Sequence, residues 1–195
     1  MSATSFILKT VVPIGLILAA ENFFLRDKFP QIYEASNTLA MLPKAFGGVL
    51  LVNVVGSAII MLVLGFGVGA ARSTFREKAL KDGDKEAEAR YSYPKMYAEG
   101  FTEHAKMFNC VQRGHQHAME TYSQFLALSL VAGLRFPVCA SLGGLLWMFA
   151  RLKWAEGYKT GEPSQRYQHW CSYGIWSSLL LMLLGAGVTA VSVMV

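Results

Sequence analysis

Residues 45–71 read AFGGVLLVNVVGSAIIMLVLGFGVGAA, 27 positions without a charged side chain. A bilayer core is crossed by about 20 consecutive, mostly apolar residues in helical form, so this stretch is long enough to span. A second uncharged run, of 26 residues, extends from Trp170 to Val195. The whole chain agrees with these two runs: 53% of its 195 residues are hydrophobic and 16% charged, against about 25% charged in an average soluble domain. That balance excludes a soluble enzyme, a disordered chain and a disulfide-stapled secreted domain. The predicted fold class is an all-α membrane protein.

Working outward from these runs, four spans are expected: about Ala45–Ala71, Phe108–Leu134, a third from Arg135-Phe136-Pro137 to about Tyr158, and Trp170–Val193. Residues 45–195 then form a four-helix transmembrane bundle, and residues 1–44 an N-terminal extension. Gly47, Gly48, Gly56, Gly65, Gly67 and Gly69 would let neighbouring helices approach closely. In the extension, Thr10–Ala20 is apolar but short and interrupted by Pro13 and Gly15. It is similar to a secretory core with a poor cleavage site at Leu18-Ala19-Ala20, and is expected to stay on the chain. It predicts an extra helix, either interfacial or a fifth span. Arg26, Asp27 and Lys28 mark a return to water, and Asn37–Lys44 a loop.

The charge pattern concerns topology. The net charge is +5, yet eight basic residues of Arg72–Lys106 lie among seven acids. No basic face suited to a nucleic acid is formed, and a nucleic-acid partner is excluded. With antiparallel spans, the loops Arg72–Lys106 and Lys159–His169 emerge on one side, together with Arg151 and Lys153. The basic excess assigns that side to the cytosol or its equivalent. The side of Met1 depends on whether the extension spans. Cys110, Cys139 and Cys171 show no paired or metal-binding spacing and are read as buried free thiols.

The informative residues are the polar ones inside the second and third spans. Arg113, His117 and Glu120 stand at i, i+4 and i+7, on one helix face. Arg151, Trp154 and Tyr158 stand at i, i+3 and i+7, again on one face. The second span enters from the long-loop side and the third leaves there, so both stripes lie near the same membrane surface, with Arg166 just above. Ionisable residues in spans are costly unless paired. Arg113 and Glu120 could simply staple the bundle. Three guanidiniums against one stripe carboxylate, however, suit a ligand with several carboxylates and one ammonium. Glutathione has that pattern, with a thiol besides. His115, His117 and Glu120 do not share a face, so no metal site is expected.

These residues also carry a resemblance. Phe108-Asn109-Cys110-Val111-Gln112-Arg113-Gly114-His115-Gln116, followed by Glu120 and Tyr122, resembles the second helix of the MAPEG proteins (membrane-associated proteins in eicosanoid and glutathione metabolism). Gly157-Tyr158-Lys159-Thr160-Gly161-Glu162-Pro163-Ser164-Gln165-Arg166 is similar to the loop after their third helix, and Tyr91–Tyr97 to the segment before the second. The resemblance covers about Tyr91–Tyr173 and implies a homotrimer with glutathione, as co-substrate, between neighbouring subunits. By matched position it implies that Arg113, His117, Glu120, Tyr122, Arg151, Trp154 and Tyr158 bind glutathione. Arg166, Tyr158 and Arg72 (or Arg76) would serve the thiolate. His117 stands where an asparagine is usual and Trp154 where a tyrosine is expected, while Ser123 and Gln124 replace prolines.

The implied activity is glutathione conjugation or glutathione-dependent peroxidase action on a lipophilic second substrate from the membrane. The membrane would be that of the endoplasmic reticulum or the mitochondrion. The alternative is an accessory subunit of a larger membrane complex, motivated by the extension and the His117 and Trp154 departures. A channel or transporter is a distant third, since no inverted repeat is evident.

Overall fold

The structure is a computed structural model that describes residue 9, residues 11–36 and residues 41–195. Part of the loop expected over Asn37–Lys44, residues 37–40, lies outside the described residues, as do Met1 and Thr10. All regular structure among the described residues is helical, apart from a single bridge between Ala35 and Pro43. Five long helices follow one another: α1 (residues 11–28), α2 (Phe46–Lys81), α3 (Glu103–Arg135), α4 (Pro137–Lys159) and α5 (Gly174–Met194). A 3-10 turn, Trp170–Tyr173, leads into α5.

Local chemistry sets the ends. Helix α2 runs ten residues beyond the uncharged stretch because charge marks the edge of the membrane and does not stop a helix. It stops at Gly83, whose φ of 84° is costly for any residue with a Cβ. The amides of Gly83 and Asp84 return to the carbonyls of Leu80 and Ala79, each at 3.0 Å, and close the last turn. Helix α3 starts on Thr102, whose Oγ1 accepts from the Ala105 amide at 3.2 Å. Phe46–Lys81 and Trp170–Met194 are long and apolar enough to cross a membrane. The polar stripes of α3 and α4 keep those two helices below the same measure.

Contacts divide the chain into two compact units. The first comprises the described part of Met1–Ala58, with Tyr122–Met148 and Tyr173–Val195. There Ile14 and Leu18 of α1 pack on Phe136 and Cys139, with Leu180, Leu181 and Leu184 of α5 around them. The opposite side of α1 is also apolar, with Leu16, Ile17, Phe23 and Phe24 exposed. Asn53 of α2 is fully buried, and its Nδ2 donates to the Ala140 carbonyl at 3.0 Å. Gly144 makes room for this: a Cβ there would collide with Asn53 Oδ1. Of the six glycines expected to bring helices together, Gly48, Gly56 and Gly65 have neighbours within 4 Å, and Gly47, Gly67 and Gly69 have none. The tighter approaches are at Gly133, Gly143 and Gly144, on the partner helices.

Glu21 is the most instructive residue of this unit. Its carboxylate is 1% exposed. Oε1 accepts from the Val138 amide at 2.9 Å and from Tyr33 Oη at 3.0 Å, and Oε2 accepts from the Cys139 amide at 2.6 Å. Pro137 opens α4 without an N–H, so Val138 and Cys139 hold the next two unsatisfied donors. A carboxylate there satisfies both and complements the helix dipole. Glu21→Ala should therefore cost about 1–2 kcal/mol. A fall of about 2–8 °C in melting temperature is expected in detergent, with part of it recovered by Glu21→Gln.

The second unit comprises Ile59–Thr121 and Phe149–Ser172. Its core is Val68, Phe75 and Ala79 of α2 packed on Ala87, Tyr91, Ala98, Ala105 and Phe108. Burial pushes the Tyr91 phenol up from its ordinary pKa. Arg72, 7% exposed, ties the loop to α2. Its guanidinium donates to the carbonyls of Tyr91 at 3.1 Å and Lys95 at 2.8 Å, and lies over the rings of Tyr93 and Phe108.

Candidate functional site

The polar stripes of α3 and α4 both lie in the second unit. On α3, Arg113 Nη1 donates to Glu120 Oε1 at 2.5 Å, across two helical turns. The two side chains are 37% and 43% exposed. Ion pairs this open contribute little to stability. The pair is thus reachable by a ligand and weak as a staple.

The α4 stripe is more enclosed. Arg151 is 1% exposed. Its Nη1 donates to His117 Nδ1 at 2.7 Å, and its Nη2 donates to Thr121 Oγ1. His117 accepts at Nδ1 in the tautomer that carries its proton on Nε2. The imidazole also stacks on Trp154, with ring centroids 4.3 Å apart and planes 27° from parallel, and Trp154 meets Tyr158 at 4.6 Å. Close helix approach permits these contacts: a Cβ on Gly114 would sit 3.5 Å from Ala155 Cα.

Gly157 then places the loop. A Cβ at this position would lie 2.7 Å from Arg166 Cα and strike the Gln165 carbonyl oxygen. Both obstacles are backbone, so only glycine lets residues 163–167 fold back on α4. Gly161, at φ 82°, makes the reversal. Arg166 consequently stands with its guanidinium 5.9 Å from the centroid of the Tyr158 ring and 5.1 Å from that of Tyr167. Its Nη1 donates to the Pro163 carbonyl at 2.5 Å. It has no carboxylate partner among the described residues. The loop is tethered to α3 by Lys106, whose Nζ is 2.5 Å from Glu162 Oε1. That hydrogen bond pushes the Lys106 pKa up.

Of the expected site residues, Arg113 with Glu120, His117 with Arg151 and Trp154, and Tyr158 with Arg166 are thus brought into contact. Arg72 belongs to the carbonyl and ring cage described above, and Arg76 pairs with Glu88 at 3.5 Å. Tyr122 lies in the first unit, where its hydroxyl is 3.0 Å from Ser57 Oγ and its ring stacks near Trp147. His115 faces Gly65, away from the stripe. Sequence reading missed Thr121, which holds Arg151, and Asn109. The Asn109 amide exchanges two hydrogen bonds with the Ala98 backbone, at 2.8 and 2.9 Å, and anchors the loop before α3. Asn109's place inside an otherwise apolar turn was the available signal.

An all-helical chain with two strongly apolar helices and an arginine-rich polar stripe is a membrane protein of defined type. The MAPEG family model matches residues 50–188, and the chain belongs to that family. Its members generally use glutathione.

Proposed function

We propose that this chain is a membrane glutathione transferase or glutathione-dependent peroxidase acting on lipophilic electrophiles or lipid hydroperoxides. The stretch Gly157–Arg166 resembles that of the third microsomal glutathione transferase. The observation that carries the reading is Arg166, a guanidinium without a carboxylate partner among the described residues, held over Tyr158 by the Gly157 contact. A nearby fixed cation lowers a thiol pKa and raises the thiolate fraction at neutral pH. Arg113 and Arg151 offer two-pronged donors for carboxylates, and Glu120 an acceptor for the ammonium. Tyr158 donates a hydrogen bond to the tripeptide. Arg72 and Tyr122 complete the proposed set in a homotrimer of four-span subunits. There α1 is an additional membrane helix, favoured over an interfacial one because both its faces are apolar. The stripes face the cytosolic or equivalent side of an endoplasmic-reticulum or mitochondrial membrane.

A second reading, an accessory subunit with weak or no catalysis, is favoured by one observation. Arg151 is already engaged by His117 and Thr121, under the Trp154 ring. Thiolate absorbance on adding glutathione to the purified protein separates the two. The transferase reading expects stoichiometric thiolate in the native chain, with loss in Arg166→Gln. Silence in both the native chain and His117→Asn, which removes the imidazole from Arg151, sinks it and leaves the accessory role.

A further inference from the structure

Two apolar grooves open on the first unit. One, of about 440 Å³, runs between α1 and α5, lined by Gly15, Leu18, Phe23, Phe136 and Leu184. The other, of about 470 Å³, lies along α5 against Leu183, Gly187, Val188 and Val191. Both fall in the ~300–1,000 Å³ range of small-molecule sites. They share Leu184, Val188 and one charged residue, Arg135.

A second guanidinium stands at the same end. Arg26 Nη2 donates to the Arg135 carbonyl at 2.7 Å. Neither arginine has a salt bridge among the described residues, and the Nε of each is buried without a hydrogen-bond partner. Glu21 caps α4 and Glu34 pairs with Lys44 at 3.0 Å, while Asp27, next to Arg26 in the chain, forms no salt bridge with either arginine among the described residues. Two paired apolar channels under a doubly cationic rim match the chemistry of one molecule class.

We propose that the grooves hold the two acyl chains of an anionic phospholipid, with its phosphate on Arg135 and Arg26. A phosphate carries the opposite charge to both guanidiniums, and arginine binds phosphate in a two-pronged geometry. A second copy docking by a two-fold contact through the same face would set Arg135 against Arg135, and α5 carries no acid to relieve the repulsion.

Gly15 and Gly187 give a clean test, because a Cβ at either meets nothing within 4 Å. Leucine there fills the grooves without disturbing the core. Purified protein is loaded with phosphatidylglycerol or phosphatidylcholine of equal chain length and read by native mass spectrometry. One retained phosphatidylglycerol per chain is expected, with retention about tenfold lower for phosphatidylcholine. Arg26→Gln/Arg135→Gln should erase that preference while Arg135→Lys keeps most of it. Gly15→Leu/Gly187→Leu should lose both lipids at an unchanged melting temperature. Equal retention of the two lipids, full retention by the double leucine variant, or cross-linking of Gly187→Cys chains to each other would overturn the proposal.

Discussion

Gly157→Ala is expected to lower the melting temperature by about 2–12 °C and to cut the proposed transferase turnover about a hundredfold. The added methyl meets the backbone of Gln165 and Arg166, which has no rotamer to move aside. Overpacking of this kind costs about 1–3 kcal/mol, and in a chain of this size each kcal/mol shifts the melting temperature by about 2–4 °C. The structure's relief is to push the loop outward, taking Arg166 from its place over Tyr158. A displacement of about 1 Å at a positioned group is enough for a hundredfold loss. Arg166→Gln is the companion measurement. It should lose turnover with a glutathione-acceptor electrophile at an unchanged melting temperature. A Gly157→Ala protein as stable as its parent would refute the packing account, whatever its activity.

Arg151→Gln is expected to weaken glutathione binding by about 10–100-fold and to destabilise the fold as well. A hydrogen bond to a charged group contributes about 1.5–3 kcal/mol, which sets the affinity range. The destabilisation follows from burial: Arg151 is 1% exposed, and its loss removes the donor to His117 Nδ1 and Thr121 Oγ1. Arg151→Lys separates the two effects. An ammonium restores charge for a ligand carboxylate yet lacks the planar fork that reaches His117 and Thr121 together. Affinity should recover in part while stability does not. A stability loss in Arg151→Gln with no change in calorimetric glutathione binding would assign this arginine to the fold alone.

What could be read in advance divides by range. The uncharged runs located α2 and α5, since a bilayer leaves a mark on every residue of a span. Helical period placed Arg113 with Glu120 and Arg151 with Trp154 and Tyr158, because residues three, four and seven apart share a face. Helices α2 and α3 run several residues past the expected spans, because hydropathy reports the membrane, while caps such as Gly83 and Thr102 report the helix. Long-range contacts left no periodic trace. Glu21 read as a residue closing an apolar run, and nothing local marks it as the cap of a helix that begins at Pro137. Gly157 read as part of a family stretch, and its need for a missing Cβ depends on where residues 165 and 166 return. His117 and Trp154 were seen as departures, but their stacking on each other became visible only with α3 and α4 side by side.

The Glu21 cap also has a consequence in time. Its two amide partners lie 117 and 118 residues downstream. At synthesis rates of roughly 5–20 residues per second, α1 waits about 6–24 s for them. During that interval the Glu21 carboxylate has Tyr33 within reach but neither amide of the helix it caps, because α4 has not been made. A ribosome paused before Pro137 leaves the helix in that state.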